Sequence, residues 1–323
     1  MPFEVLIASL LALSIAAPHV LPLQRVAPTS AAAVWFLALC LRALSASAVA
    51  FYLLVYMPQT DRFAAASDWC LDFTLPFVST EVHFSALPVV QAAVALPATA
   101  LAGSLLTAVS ALVRAWLDAR RVVKRLAVGE GPMGSTVLAS EGIVMGVTRT
   151  GPARLLVSDA ALATLDSEEL HAGLQHELGH LRRSHRPVLL AASLLRALAR
   201  WQPGTRAAYR ELCFSLERDA DEYALDQTRN PLALASAICK AAAGQGAAAP
   251  LMALHGRSRL ALRLDYLMAG GRQRASDAVE KGARMLAVVM LSLTLFLAAS
   301  APGVALERGV ILPGLPSAAA WHC

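Results

Sequence analysis

The chain has 323 residues, of which 57% are hydrophobic and 16% are charged. Ordinary soluble domains carry about 25% charged residues, so this composition argues against a wholly soluble protein. The net charge of +5 does not indicate nucleic-acid binding, because the basic residues cluster beside long apolar segments.

Four apolar stretches are long enough to cross a bilayer as helices, which takes about 20 residues. They are residues 3–21, 31–57, 87–113 and 285–304. The first carries Glu4 and has no Lys or Arg ahead of its apolar run, which is the wrong flank for a secretory signal. We therefore predict four transmembrane helices.

Basic residues lie on one side of these spans. They follow the third span and precede the fourth: Arg114, Arg120, Arg121, Lys124, Arg125, Lys281 and Arg284. By the positive-inside rule the intervening segment faces the cytoplasm, whereas the acidic loop 58–85 and both termini lie outside. Cys70 and Cys323 would then share the oxidising compartment, where a disulfide between them is possible.

The spans divide the chain into four parts. Residues 1–113 hold three transmembrane helices, 114–283 form a cytoplasmic domain, 284–306 form the fourth helix and 307–323 form a short extracytoplasmic tail. The cytoplasmic part is long enough for one compact domain with its own core. The predicted fold is mainly α, a polytopic membrane protein with a small α+β domain.

The cytoplasmic part begins with short elements. A basic helix over 116–127 is expected to break at the glycines around Gly129. Three β-prone runs, 136–138, 143–147 and 155–158, are bounded by Gly and Pro and predict a sheet of two or three strands.

A longer helix follows. Asp166 and Glu169 stand in the positions of a capping box, so a helix of about five turns should run from there until Pro187 stops it. Two more helices are expected over 188–201 and 206–226.

The first of these helices carries the sequence His176-Glu177-Leu178-Gly179-His180. Residues four apart lie one turn above each other, so His176 and His180 can bind one tetrahedral zinc ion. Glu177 is offset by one position, which suits a general base that takes a proton from zinc-bound water. Catalytic zinc needs a third protein ligand, and the acidic helix 206–226 is the best supply.

Glu217 is our candidate for that third ligand. Asp221, one turn later, could then accept the outer N–H of a ligating histidine and fix its tautomer. Helical spacing alone leaves a choice, because Glu217 and Asp219 flank opposite edges of the buried stripe. A further donor for the reacting oxyanion could be Tyr209 or Tyr223, although packing is the expected role of Tyr223.

Three other polar residues stand outside this set of candidates. His171 and His185 are each five residues from a candidate ligand, about 140° around a helix, and are expected at the surface. Arg42 lies in the middle of the second span, where a charge costs about 2.5–3.5 kcal/mol, and its sequence context suggests no partner.

The motif, the later Trp201-Gln202-Pro203 and the spacing Glu217-x-x-x-Asp221-x-x-Ala224 resemble the gluzincin-type integral membrane peptidases. Three spans before the domain and one after it resemble the BlaR/MecR family of β-lactam sensor-transducers. The resemblance supports Glu217 as the ligand and implies a zincin-like domain at the cytoplasmic membrane of a bacterium. The tail 307–323 is too short for the extracellular sensor domain of that family.

The resemblance implies a Zn²⁺-dependent endopeptidase. Its substrates would be a transcriptional repressor, its own chain or another membrane-associated protein, with the lipid bilayer as its other partner. One alternative is a CAAX-protease or HtpX-type quality-control peptidase, which we rank second because a membrane hairpin should follow the zinc helix and 188–199 is short for one. Another is a non-catalytic signalling scaffold with a structural zinc.

Overall fold

The computed structural model describes residues 2–56, 87–148, 154–244, 253–269 and 276–307. These residues form ten α-helices and one small sheet. The predicted acidic loop 58–85, the suggested pairing of Cys70 with Cys323 and the tail after residue 307 lie outside the described residues.

Three helices precede the sheet: α1 (Pro2–Val20), α2 (Pro28–Phe51) and α3 (Leu87–Leu126). Seven helices follow the sheet: α4 (Asp159–Thr164), α5 (Ser167–Arg182), α6 (His185–Leu198), α7 (Thr205–Thr228), α8 (Pro231–Gly244), α9 (Ala253–Met268) and α10 (Asp277–Glu307). A π-helical turn, Tyr52–Tyr56, extends α2.

Among the residues that the structure describes, three helices are long and apolar enough to cross a membrane. They are Pro28–Val55, Ala95–Leu126 and Asp277–Ala299, and they cover the second, third and fourth predicted spans. The first predicted span is the helix α1, in which the described apolar part is the shorter Ala8–Val20. The three long helices indicate a membrane protein.

The sheet has four strands, in the order β1 (Ala127–Glu130), β2 (Thr136–Leu138), β4 (Leu155–Ser158) and β3 (Met145–Val147). The parallel pair is β2 with β4, and the other neighbours are antiparallel. The expectation of two or three strands was too low, because the chain around Gly129 does not stop at a loop. It continues as β1, with an irregular register between Ala127 and Gly129.

The strand β3 forms one edge of the sheet. Val144 O accepts from Ser158 N and Thr148 N donates to Arg154 O, both at 2.8 Å. Bonded pairs alternate along an antiparallel ladder, so the backbone groups of Met145 and Val147 point away from β4.

The helix α2 lies at the centre of the largest buried cluster. Val34 and Leu39 of α2 pack with Ala192 of α6, Leu212 of α7 and Met290 of α10. Because α7 contacts both α2 and α5 extensively, the helix with Glu217 connects a membrane-length helix to the helix with the histidine motif.

Polar contacts join distant segments at the start of α2. Glu280, in the first turn of α10, accepts from Ala27 N at 3.0 Å and from Ser30 Oγ at 2.7 Å. Arg218, next to Glu217, is 3% exposed and donates to Val26 O at 3.4 Å. The entry to α2 is therefore tied to both α7 and α10.

The corner between α6 and α7 lies against two of the membrane-length helices. Its residues Trp201 and Gln202 line a cavity together with Val49 of α2 and Leu96 of α3, and Gln202 Nε2 donates to Ser45 Oγ at 2.9 Å. The pair α6 and α7 therefore forms a helical hairpin whose tip packs between α2 and α3.

Arg42 has partners that the sequence did not suggest. Its guanidinium donates to Ile15 O at 3.1 Å and to Ala38 O at 3.3 Å, and it lies 2.8 Å from Nε2 of His19. The residue is 1% exposed. Its charge is therefore placed among α1, α2 and the α6–α7 corner and does not face the lipid.

Candidate metal centre

The helix α5 begins as its sequence predicts. The Asp166 carboxylate accepts from the backbone N–H groups of Glu168 and Glu169, at 2.9 and 2.8 Å, and Glu169 accepts from Asp166 N at 2.9 Å. Glu169 also accepts from Ser236 at 2.5 Å and Lys240 at 2.6 Å, both on α8. The capping box therefore also anchors α5 to α8.

The structure brings His176, His180 and Glu217 together. The two Nε2 atoms are 3.3 Å apart, and each lies 3.6 Å from an oxygen of Glu217. The three residues form a group that could hold a metal ion. The predicted ligand set thus lies at one point in space, although it comes from two helices.

Asp221 and Arg263 support His176. Asp221 is fully buried and its Oδ1 lies 2.9 Å from His176 Nδ1, a short contact that is not an aligned hydrogen bond. Arg263 of α9 donates to both Asp221 oxygens, at 2.9 and 2.8 Å, and to Glu217 Oε2 at 2.9 Å. The predicted position of Asp221 beside a histidine is observed, whereas Arg263 was not anticipated.

His185 and Asp219 support His180. His185 Nδ1 lies 2.9 Å from His180 Nδ1, and His185 Nε2 lies 2.8 Å from Asp219 Oδ2. Arg183 also donates to Asp219. The chain of contacts His180–His185–Asp219 therefore ends on a carboxylate.

The prediction that His185 lies at the surface was wrong, because the residue is 3% exposed. It assumed one helix up to Pro187, but α5 ends at Arg182 and Ser184 has φ +53°, so α6 starts in a new direction. Pro187 lies in the first turn of α6, where no backbone N–H is needed. Because proline is favoured in the first turn of a helix, Pro187 could have indicated that a new helix starts there.

These contacts favour one tautomer for each histidine. Asp219 can only accept from His185 Nε2–H, so a neutral His185 accepts from His180 Nδ1–H. Asp221 likewise favours the proton of His176 on Nδ1. Both Nε2 lone pairs then face each other at 3.3 Å, beside the Glu217 carboxylate. The repulsion between these groups is relieved by a proton on His176 or by a cation held between the three groups.

The surrounding charges shift the pKa values of the two rings in opposite directions. Burial alone would lower the pKa of His176, but Asp221 and Glu217 raise it to about 10. Burial would raise the pKa of Glu217, but His176 and Arg263 hold it well below its usual range. For His180, burial and the neighbouring histidines lower the pKa to about 4. The carboxylates therefore favour positive charge between them.

Glu177 lies one residue beyond His176 on the same turn of α5 and makes no hydrogen bond to any residue that the structure describes. Burial, reinforced by Glu217, raises the pKa of Glu177 above its ordinary value.

Two tyrosines were candidate donors to the reacting oxyanion. The hydroxyl of Tyr209 lies 3.2 Å from Ser193 Oγ. Tyr223 packs where a Cβ on Gly179 would come within 3.1 Å of it, which agrees with its expected packing role.

The edge strand β3 lies beside α5. A Cβ on Gly173 would come within 2.6 Å of the Met145 side chain, so the strand and the helix approach closely one turn before His176.

Comparisons with protein-family models, with curated proteins and with solved structures found no match.

Proposed function

We propose that this chain is a membrane zinc metalloendopeptidase. The observation that carries the proposal is the convergence of the Nε2 atoms of two histidines and one carboxylate, with Glu177 on the adjoining helical position. Sites that only stabilise a fold saturate zinc with four protein ligands, whereas the described residues bring three together here, which would leave one position for water.

The donor spacing supports zinc as the metal. Bonds of about 2.0–2.2 Å from a tetrahedral zinc place its ligand atoms about 3.3–3.6 Å apart. The two Nε2 atoms are 3.3 Å apart, and His176 Nε2 and His180 Nε2 lie 3.6 Å from Glu217 Oε2 and Oε1 respectively, so both carboxylate oxygens lie near this spacing from one ring. The outer contacts of both imidazoles, to Asp221 and His185, are the kind that orient zinc-binding histidines.

Bound zinc would polarise a peptide carbonyl and lower the pKa of a coordinated water. Glu177 would take the proton of that water and pass it to the leaving amine. Burial of this carboxyl raises its pKa, which suits a group that must both accept and return a proton near neutral pH. Asp221 and His185 would keep the two rings in the ligating tautomer throughout.

The substrate would bind as an added strand along β3. The backbone groups of Met145 and Val147 point away from β4 and are available for main-chain hydrogen bonds. Because β3 approaches Gly173 of α5 closely, such a peptide would lie near His176 and His180, which are on the same helix. Recognition through main-chain atoms favours an endopeptidase that takes extended segments.

We infer that the site faces the cytoplasm, since Arg114, Lys124 and Lys281 flank the domain side of the spans. The resemblance to the BlaR/MecR family suggests a repressor, the chain itself or a membrane-associated protein as the substrate. Four spans with both termini outside remain part of this proposal.

One observation favours the HtpX-type alternative more than the sequence did. The α6–α7 hairpin that follows the motif helix packs its tip, at Trp201 and Gln202, against α2 and α3. A hairpin between membrane helices is the feature that distinguishes that class, so quality-control proteolysis of membrane proteins is our second candidate. Cleavage of a misfolded membrane protein but not of a soluble repressor would favour it.

The decisive test compares wild type with Glu177→Gln in detergent, measuring casein hydrolysis, self-cleavage and bound zinc. We expect the variant to keep its zinc and to lose about 10²–10⁴-fold in rate, because only the general base is removed. Glu168→Gln, an exposed change on the same helix, is the matched control and should keep full activity. Equal rates for wild type and Glu177→Gln would contradict the mechanism, and zinc without activity in both would favour the scaffold.

A further inference from the structure

A second cavity lies away from the metal centre, between α3 and the α6–α7 hairpin. Its volume is about 210 Å³, and Ser104, Thr107, Arg196, Arg200 and Arg206 line it. All three arginines are exposed residues, and none forms an ion pair with a carboxylate of the described chain. Three cations thus surround one small space without a counter-charge.

Aromatic rings hold two of these guanidinium groups. Arg196 lies 4.6 Å from the ring centre of Tyr209, and Arg200 lies 5.2 Å from that of Trp201. Cation–π contacts orient a guanidinium without neutralising its charge, so its N–H donors remain available for an anion.

The cavity described above at the α6–α7 corner is an apolar groove that lies beside the basic cavity on α3. This groove has a volume of about 450 Å³ and is lined by residues of α2, α3 and the corner, including Val49, Leu96, Leu101 and Trp201. On α3 the two cavities share one face, because Pro97, Leu101, Ser104 and Ala108 are spaced by four, three and four residues.

The basic cavity and the apolar groove together form a seam along α3, and this seam has a polar end and an apolar end. The apolar groove lies toward the start of this membrane-length helix, and the basic cavity lies one to two turns further along it, in the direction of Arg114 and Arg120. A ligand that fits both parts has an anionic head at the basic end and an apolar chain directed into the membrane.

We propose that this seam binds an anionic glycerophospholipid. Its phosphate is held by Arg196, Arg200 and Arg206, with the hydroxyl groups of Ser104 and Thr107 beside them, and one acyl chain lies in the groove next to Trp201. A zwitterionic headgroup has no net charge and would leave the three arginines uncompensated. The site therefore selects lipids with a net negative charge. The site is separate from the metal centre and does not depend on peptidase activity.

Trp201 provides the readout, because it is 70% exposed and borders the groove. The full chain is placed in phosphatidylcholine nanodiscs that contain a low fraction of brominated-chain lipid, either phosphatidylglycerol or phosphatidylcholine. Bromine quenches tryptophan fluorescence on contact. The difference in quenching between wild type and Trp201→Phe therefore reports the lipid that lies at the groove. We expect the brominated phosphatidylglycerol to associate on the order of fivefold more strongly than the phosphatidylcholine, and added inorganic phosphate not to compete.

Substitution separates the pocket from general surface charge. The change Arg196→Gln/Arg200→Gln/Arg206→Gln should remove the preference, and the single change Arg200→Gln, at an exposed side chain, should reduce it if the triple variant does not fold. Arg120→Gln/Arg121→Gln, on the exposed basic end of α3, is the control and should keep the preference. Equal quenching by both lipids in wild type, equal losses in pocket and control variants, or competition by free phosphate would overturn the proposal.

Discussion

The two histidines of the candidate metal centre differ in what supports them. His176 lies against a buried carboxylate, Asp221, which Arg263 neutralises. His180 lies against another imidazole, and only beyond His185 does the chain of contacts reach Asp219. The support of His176 is therefore an ionic one from α7 and α9, whereas that of His180 is relayed through a neutral ring at the start of α6.

This difference predicts unequal consequences when each support is removed. A carboxylate in direct contact makes a ligating imidazole more electron-rich than a neutral ring does. Its loss also leaves the guanidinium of Arg263 with Glu217 as its remaining carboxylate, while the loss of His185 leaves Asp219 paired with Arg183.

The largest effect is expected for Asp221→Asn. Zinc affinity should fall about 10–100-fold because His176 loses its anionic partner, and stability should fall by up to about 3–5 kcal/mol because Arg263 loses half of its pairing. Chelator competition and thermal unfolding in detergent measure the two effects. Asp226→Asn, exposed on the same helix, should change neither, and a larger loss for His185 variants would reverse the comparison.

A smaller effect is expected for His185→Leu. Zinc affinity should fall about tenfold, because His180 keeps its ring but loses the partner that fixes its tautomer. His171→Leu is a matched control, since His171 is also five residues from a ligand but is exposed. If both substitutions leave zinc affinity unchanged in the same competition assay, the relay through His185 has no role in binding.

Both supports depend on the close approach of α5 and α7 at Gly179. A Cβ there would lie 3.1 Å from Tyr223 Cβ and 3.3 Å from the Cα of Ala220, so Gly179→Ala should push the helices apart at a cost of about 1–3 kcal/mol. Gly282→Ala, in a helix with nothing within 4 Å, should instead stabilise by up to about 1 kcal/mol. Thermal unfolding of both variants checks the contrast, and an unchanged midpoint for Gly179→Ala would show that the helix packing can relax.

The smallest effect concerns Glu169, which anchors α5 outside both supports. Hydrogen bonds from Lys240 and Ser236 hold its pKa at about 2, below the ordinary 4.5. Its contribution to stability is therefore complete above pH 4.5 and is lost as the pH falls from 4.5 toward about 2.

Glu169→Gln should remove this pH dependence and cost about 1–3 kcal/mol near neutral pH. Unfolding measured between neutral and acid pH gives both values, with Glu168→Gln as the exposed control. If wild type and Glu169→Gln lose stability in parallel across that range, another group is responsible for acid sensitivity.

The candidate site residues that the sequence indicated correctly are those on uninterrupted helices. His176 and His180 lie one helical turn apart, and so do Glu217 and Asp221, so each pair was predictable from spacing. The choice of Glu217 over Asp219 rested partly on the resemblance to membrane peptidases. His185 was misplaced because a single residue, Ser184, interrupts that period.

Other contacts had no local signal at all. Arg263 reaches Asp221 across 42 positions of the chain, and no pattern near Arg263 distinguishes it from a solvated arginine. The strand β1 was missed because Gly129 has low β propensity, and pairing with β2 overrides that preference. The order of the helices was thus readable, while the side chains that cross between them were not.

The ties at the entry to α2 bear on how the protein can be handled. Arg218 adjoins a candidate ligand and relies on the carbonyl of Val26, and Leu212 and Leu216 of α7 are covered by α2. A soluble fragment cut at Arg114 would bare this apolar flank of α7 and deprive Arg218 of its acceptor. Preparations intended to retain the metal should therefore keep the N-terminal helices and an amphiphilic carrier throughout.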